Sequence, residues 1–211
     1  MANIPVLTVI KNLKRSVFTT YEIASAGVGT LSNTTQALNH LAKQEVVVKI
    51  RQGVWGLLIG GEKISPYAVI PYLLPNHRAY VSFISALHLY GIIEQIPQSI
   101  TVASTSHTRT IKTKLGTYYI HRLSPQIFKG FIWYQGKDDF LIAEPEKALV
   151  DCLYLSVRKK KQFAYFPELH IPKSFSFTKA KRWAKDIPNA KIRTAVLNKL
   201  AKIKIGSVLD N

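Results

Sequence analysis

The chain has 211 residues, of which 47% are hydrophobic and 19% are charged, so it holds enough apolar material for a buried core and is not a disordered tail. Lysine and arginine together number 29 against 12 acidic residues, and the resulting formal net charge of +17 predicts a polyanionic partner. Nucleic acid is the first candidate, followed by an acidic protein or an anionic membrane surface.

Two short helices are predicted at the start of the chain. In Pro5–Arg15, apolar residues recur at helical spacing and the segment ends in basic residues, which suit the negative end of a helix dipole. Thr19 is followed three residues later by Glu22, the capping-box pattern of a helix start. We therefore expect a second helix over Thr20–Ala26, ended by the glycines that follow.

A third helix and a β-hairpin complete the first sixty residues. The helix is expected to start at Ser32 as its N-cap and to run to about Lys43, with one apolar and one polar side. The run Val46–Leu58 is rich in β-formers on both sides of Gln52-Gly53, which predicts a hairpin. Three short helices followed by a basic hairpin is the order of a winged helix-turn-helix domain, here assigned to residues 1–61.

The polar side of the third helix is a candidate DNA-reading surface, because short amide, hydroxyl and amine groups reach base edges and phosphates in a major groove. Gln36 and Asn39 are the best candidates for base contacts, and the cations of the hairpin are placed to neutralise phosphates. A merely solvated face and a protein-binding winged helix are the alternatives. The candidate residues on this helix and hairpin are Ser32, Gln36, Asn39, Lys43, Lys49 and Arg51.

The remaining chain predicts a second domain of mixed α/β structure. Residues 62–80 are rich in proline and apolar side chains, and we expect them to connect and pack between two domains. A helix over Ser82–Tyr90 with Gly91 after it opens the domain at residues 81–211, and an amphipathic helix runs from Pro145 to about Val157. The fold class is therefore α+β. Strand-like runs are Ser99–Ala103, Thr117–His121, Phe131–Tyr134 and Phe140–Ala143.

The C-terminal part is unusually basic, since residues 151–211 hold fourteen of the basic and four of the acidic side chains. One or two basic terminal helices are expected there. They are candidates for secondary phosphate or partner contacts, with a solvated basic face as the alternative. The residues concerned are Arg158, Lys159, Lys160, Lys161, Lys181, Arg182 and Lys185.

No motif indicates an enzyme, a metal site or a cofactor. A restriction-type nuclease requires an acid followed by E-x-K on a strand, whereas Glu146 and Lys147 are adjacent in a predicted helix. There is no H-E-x-x-H, C-x-x-C, phosphate-binding loop or nucleophile elbow. The single cysteine, Cys152, shares a helix face with apolar residues, and we expect it to be buried and unreactive.

The sequence predicts a cytoplasmic protein without a membrane partner. The segment Met1–Ile10 lacks the basic and apolar regions of a signal peptide. The apolar stretch Ala79–Ile93, which holds no formal charge and no proline, has 15 residues, and a membrane-spanning helix needs about 20. One cysteine excludes an intramolecular disulfide, which points to a reducing compartment.

Three stretches of the chain carry a resemblance to a known family: the winged helix over about Leu7–Leu58, the run Tyr80–Pro97 leading into Ile100–Ala103, and the block Leu141–Tyr154. They resemble the AbiEi-type antitoxins, transcriptional regulators in type IV toxin–antitoxin and phage-defence systems. Within the last stretch, the AEPEKALVD run is the most specific piece. Together these stretches span most of residues 5–157.

The resemblance implies a two-domain autorepressor that binds inverted repeats in the double-stranded DNA of its own promoter. It also implies that the second domain antagonises a nucleotidyltransferase toxin of the AbiEii type. By motif position it adds Thr35 to the candidate DNA contacts, while Glu144, Glu146 and Asp151 are interpreted as structural. The alternatives are a solitary transcriptional regulator, a protein-interaction module and, less favoured, a nucleic-acid-processing enzyme.

Overall fold

The structure is a computed structural model that describes residues 5–58, 63–134, 140–158 and 168–209. It confirms the expected α+β class: these residues form eight α-helices and two sheets. They group into two compact units, Met1–Pro75 with Lys112–Gly116, and Asn76–Ile111 with Thr117–Asn211. Residues 63–75, part of the segment expected to connect two domains, group with the first unit.

The first unit packs its helices around one apolar core. Ile10, Phe18, Leu38 and Trp55 are fully buried in it, and the indole nitrogen of Trp55 donates a hydrogen bond of 2.9 Å to the Thr20 hydroxyl. The elements of this unit are α1 (Val6–Asn12), β1 (Val17–Thr19), α2 (Thr20–Ile23), α3 (Leu31–Lys43), β2 (Val47–Arg51), β3 (Val54–Leu57) and α4 (Ile70–Leu73).

The start of α2 confirms the predicted capping box. The Thr19 hydroxyl accepts a hydrogen bond from the backbone N–H of Glu22 at 3.1 Å, and the Glu22 carboxylate accepts one from the backbone N–H of Thr19 at 2.7 Å. These two bonds satisfy backbone donors that the first turn of a helix leaves unpaired. After Ile23 the chain continues as a π-helical turn over Ala24–Val28, in which Gly27 adopts a positive φ of 86°.

The start of α3 differs from the expectation. Ser32 is not its N-cap: Thr30 holds that position, and its hydroxyl accepts a hydrogen bond from the backbone N–H of Asn33 at 3.2 Å. Two capping residues, Thr30 and Ser32, stand close together in the sequence, and only the backbone conformation selects between them. The helix therefore begins at Leu31 and carries Ser32 in its first turn.

The predicted hairpin is confirmed and belongs to a three-stranded antiparallel sheet of order β1-β3-β2. Its turn lies at Gln52-Gly53, where Gly53 has a φ of 73° that glycine adopts without strain. The third strand, β1, was not predicted, because three residues are too few to show an alternating pattern. It is defined by pairing with a segment nearly forty positions away, Phe18 lying opposite Trp55.

The second unit is built on a six-stranded mixed sheet of order β6-β7-β5-β4-β9-β8. Within the described residues, α6 packs against α5, α7 and α8. The strands β4 and β6 were not predicted from the sequence. The elements are β4 (Ala79–Val81), α5 (Phe83–Leu89), β5 (Ile100–Ser104), β6 (Arg109–Thr113), β7 (Gly116–Arg122), β8 (Phe131–Trp133), β9 (Leu141–Ala143), α6 (Pro145–Arg158), α7 (Phe177–Lys185) and α8 (Ala190–Leu209).

No helix among the described residues has both the length and the apolar character required to cross a bilayer.

Candidate nucleic-acid interface

The third helix presents two chemically different sides. Thr34 and Leu38 are buried on one side and hold the helix on the core of the first unit. Because side chains three or four positions apart share a face, the residues between them are turned outward. The exposed candidates on this outer side are Ser32, Gln36, Asn39 and Lys43.

The best candidates on the outer side of α3 have no bonding partner for their side chains in the described part of the chain. Within the described residues, the side chains of Gln36 and Asn39 form no hydrogen bond, and Lys43 forms no ion pair. Thr35 differs from them, because it is half-buried and its hydroxyl donates a hydrogen bond of 2.7 Å to the carbonyl of Leu31. Its oxygen therefore retains acceptor capacity only, whereas both amides keep two donors and an acceptor for a ligand.

The two candidate cations of the hairpin are exposed near its turn. Lys49 lies opposite Trp55 in the β2–β3 register, with its ammonium 5.6 Å from the centre of the indole ring. Lys49 and Arg51 are two positions apart on β2 and are both exposed, with Ile50 buried between them, as the alternation of a strand requires. The β2–β3 register shifts between these two residues. Neither forms an ion pair within the described part of the chain.

One acidic group of this unit is already neutralised. The Glu22 carboxylate that completes the capping box also pairs with Arg15, whose guanidinium nitrogen is 2.7 Å from it. The other acid among the described residues of this unit is the exposed Glu45. The charges of Lys43, Lys49 and Arg51 outnumber it, which favours an anionic ligand.

Two large apolar side chains of this unit were not among the predicted contacts. Leu31, the first residue of α3, is 53% exposed, and Tyr21 on α2 is 70% exposed. Leu31 stands immediately before the expected N-cap, Ser32, so the sequence pattern did not place it on the helix. Only the position of the helix start, one residue before Ser32, reveals that Leu31 lies at the rim of the helix rather than beneath it.

The basic candidates of the second unit differ in their surroundings. Lys159, Lys160 and Lys161 lie outside the described residues. Arg158 donates a hydrogen bond of 2.7 Å to the Tyr154 hydroxyl, so its charge is partly fixed at the end of α6. The candidates on α7 are exposed and form no ion pair within the described residues: Lys181, Arg182 and Lys185.

The acidic residues at the start of α6 connect it to α7. Glu146 accepts a hydrogen bond of 3.0 Å from the backbone N–H of Ser176, and Lys179 donates one of 2.9 Å to Glu144. The hydrogen bond to Glu144 raises the pKa of Lys179. Both carboxylates thus act in helix packing, as their interpretation as structural residues supposes.

A buried ionic cluster joins α6 to the residues Tyr80 and Ser82. Asp151 accepts hydrogen bonds from Ser82 at 2.8 Å, from Tyr80 at 3.2 Å and from the ammonium of Lys147, and the side chains of Lys147 and Asp151 are only 2% and 1% exposed. Burial raises the pKa of Asp151, while the charge of Lys147 and the hydrogen bonds act in the opposite direction. The burial of Lys147 was not predicted from the sequence, although the i, i+4 spacing of Lys147 and Asp151 indicates that the two side chains can pair.

The second unit also contains a cysteine that is closed to solvent. Cys152 is buried, and burial raises the pKa of its thiol well above the ordinary value. Among the described residues, no three His, Cys, Asp or Glu side chains are grouped closely enough to hold a metal ion.

No protein-family model matches the chain, and no curated protein matches it either. Its function is therefore inferred from the chemistry of its own residues. Those residues offer two exposed surfaces that suit an anionic ligand, the polar side of α3 with the hairpin in the first unit, and the α7 cations in the second.

Proposed function

We propose that the chain is a sequence-specific DNA-binding transcriptional repressor, whose first unit is a winged helix with α3 as the recognition helix. The observation that carries the proposal is the outer side of α3, where Gln36 and Asn39 are exposed and unpaired within the described residues. A helix fits the major groove of B-DNA, and an amide side chain forms two hydrogen bonds with the edge of adenine. The buried Leu38 holds these amides on a rigid element.

The hairpin supports the same proposal as the wing. Lys49 and Arg51 extend to solvent beside its turn, where they are suited to neutralise phosphates next to the groove that α3 enters. Such contacts provide affinity and register without reading sequence. The division of labour between α3 and the hairpin therefore predicts that mutations in the two elements have different consequences.

The biological setting that we propose is an autorepressor and antitoxin paired with a nucleotidyltransferase toxin. It is supported by the sequence resemblance to the AbiEi-type family, whose most specific block includes Asp151. In the structure this carboxylate ties α6 to Ser82 and Tyr80, a packing role that accounts for an acid at this position without catalysis. A cytoplasmic location fits this setting.

The DNA-binding proposal is tested by titrating the full chain onto the duplex upstream of its own gene and onto a scrambled duplex, at several salt concentrations. We expect binding to the upstream duplex to be tighter by about a thousandfold or more. This preference should persist as salt rises, because phosphate contacts alone weaken steeply with ionic strength. Equal and equally salt-sensitive binding to both duplexes would contradict sequence-specific recognition.

The antitoxin proposal has a separate test in cells. We expect a nucleotidyltransferase gene to lie next to the gene of this chain, and we expect co-expression of this chain to restore growth to cells arrested by that nucleotidyltransferase. A variant lacking promoter binding should still rescue growth, since the two roles are assigned to different units. Specific promoter binding without any rescue would instead identify a solitary regulator.

A further inference from the structure

The exposed side chain of Leu31 is the starting point for a further inference. In the described part of the first unit, Leu31 and Tyr21 are the large apolar side chains with high exposure. The other leucines of α3 contribute to the core cluster of the unit, Leu38 fully buried and Leu41 packed against it. Leu31 is not part of that cluster, so packing within the unit does not explain a leucine at this position.

The position of Leu31 in α3 is well defined. The Thr30 cap fixes the helix start, and the hydrogen bond from the Thr35 hydroxyl to the Leu31 carbonyl joins the first two turns. Leu31 therefore projects from the first turn of α3, one turn before Thr34 and Thr35, at the boundary between the buried side and the polar side of the helix. In helix-turn-helix proteins, the N-terminal residues of the recognition helix are the ones that contact base edges.

The chemistry of leucine limits what it reads in a major groove. It has neither a donor nor an acceptor, and the one apolar group that a base pair presents there is the C5-methyl of thymine. We propose that Leu31 packs against a thymine methyl group, so that the operator carries thymine at the base step facing the start of α3. This inference rests on the proposed function, because it requires α3 to enter the major groove.

Deoxyuridine tests the inference directly, because it differs from thymidine only by the missing methyl group. The full chain is titrated onto the upstream duplex and onto the same duplex synthesised with deoxyuridine in place of every thymidine. We expect the deoxyuridine duplex to bind about fourfold more weakly for each protein molecule, which corresponds to ~0.8 kcal/mol at 1.4 kcal/mol per tenfold. Single replacements then locate the thymine responsible.

Variants separate the role of Leu31 from a general effect of uracil on the duplex. Leu31→Ala should bind both duplexes with nearly equal affinity, whereas Leu31→Met should retain the discrimination through its apolar side chain. Tyr21→Ala is the matched control: it also truncates an exposed apolar residue of the same unit, and we expect it to retain the fourfold ratio. Unfolding midpoints of the variants report that the fold is intact.

The possible results distinguish failure of this inference from failure of the proposed function. Upstream binding that is specific but insensitive to the thymine methyl group would overturn the role of Leu31 alone. So would a fourfold ratio that persists in Leu31→Ala. Absence of any preference for the upstream over the scrambled duplex would overturn the proposed function and this inference with it, and would leave Leu31 as a contact for a protein partner.

Discussion

The double variant Gln36→Ala/Asn39→Ala is expected to lose most of the preference of the protein for its upstream DNA. Each amide that forms two hydrogen bonds with a base contributes about 1–3 kcal/mol of discrimination against the wrong base. Both side chains are exposed on α3 and form no hydrogen bond within the described residues. Alanine is also the best helix former, so the stability of the domain should not fall. The measurement is the ratio of affinities for the upstream and scrambled duplexes.

Lys49→Ala is the matched control for this variant. Lys49 is exposed on the hairpin and is assigned a phosphate contact, so its loss should weaken binding to both duplexes by the same factor. It should also reduce the slope of log affinity against log salt concentration by about one. An unchanged upstream preference in the double variant would contradict base reading by α3 and favour the protein-interaction alternative.

Lys147→Met is expected to lower the free energy of unfolding by about 3–5 kcal/mol, because it leaves the Asp151 carboxylate buried without its counter-charge. Ser82 and Tyr80 still donate hydrogen bonds to Asp151 but carry no charge. The double variant Lys147→Met/Asp151→Leu removes both charges and should recover most of the loss. Urea unfolding of the three proteins measures these differences.

The pH dependence of Lys147→Met provides a second signature. Burial already raises the pKa of Asp151 in the native protein, and removing the nearby ammonium raises it further. Between the unfolded and folded pKa values the native state then binds more protons than the unfolded state, so stability falls as pH rises. The deficit of the variant should therefore shrink on acidification toward the unfolded pKa of the carboxyl.

Lys129→Met controls for the loss of a lysine that pairs with an acid at the surface. The Lys129 ammonium is 2.9 Å from the Asp186 carboxylate, and the two side chains are 47% and 36% exposed. Surface ion pairs contribute about 0–1 kcal/mol, so this variant should unfold close to the native midpoint. Equal losses of unfolding free energy in Lys147→Met and Lys129→Met would contradict the destabilisation expected from leaving Asp151 buried without its counter-charge.

Local signals in the sequence predicted much of the structure. The capping box at Thr19, the hairpin turn at Gly53 and the end of α5 before Gly91 are confirmed, with Gly91 at a φ of 67°. The amphipathic helix expected from Pro145 to about Val157 extends to Arg158. Each of these signals acts between residues a few positions apart, through a backbone hydrogen bond, a turn conformation or a helix face.

The strands that were not predicted depend on contacts between residues far apart in the sequence. The strands β1 and β4 have three residues each, and β6 has one apolar residue, Ile111, among its five. None of them shows an apolar alternation, and each is defined by its partners, as Val81 is by Val102 on one side and Ile142 on the other. Their existence depends on chain segments brought together from long sequence separations. A pattern confined to three residues contains no information about such partners.

The amino-acid sequence by itself determined the α+β class, the polar side of α3 and the excess of positive charge, because periodicity, capping and composition are properties of neighbouring residues. Only the tertiary structure decided that Lys147 lies in the core and that Leu31 lies exposed at the start of α3. Burial is set by what distant segments place around a side chain. Lys147 is buried because Asp151 and Tyr80 accept hydrogen bonds from its ammonium and Ser82 donates one to Asp151. Leu31 is exposed because no described segment of its unit covers it.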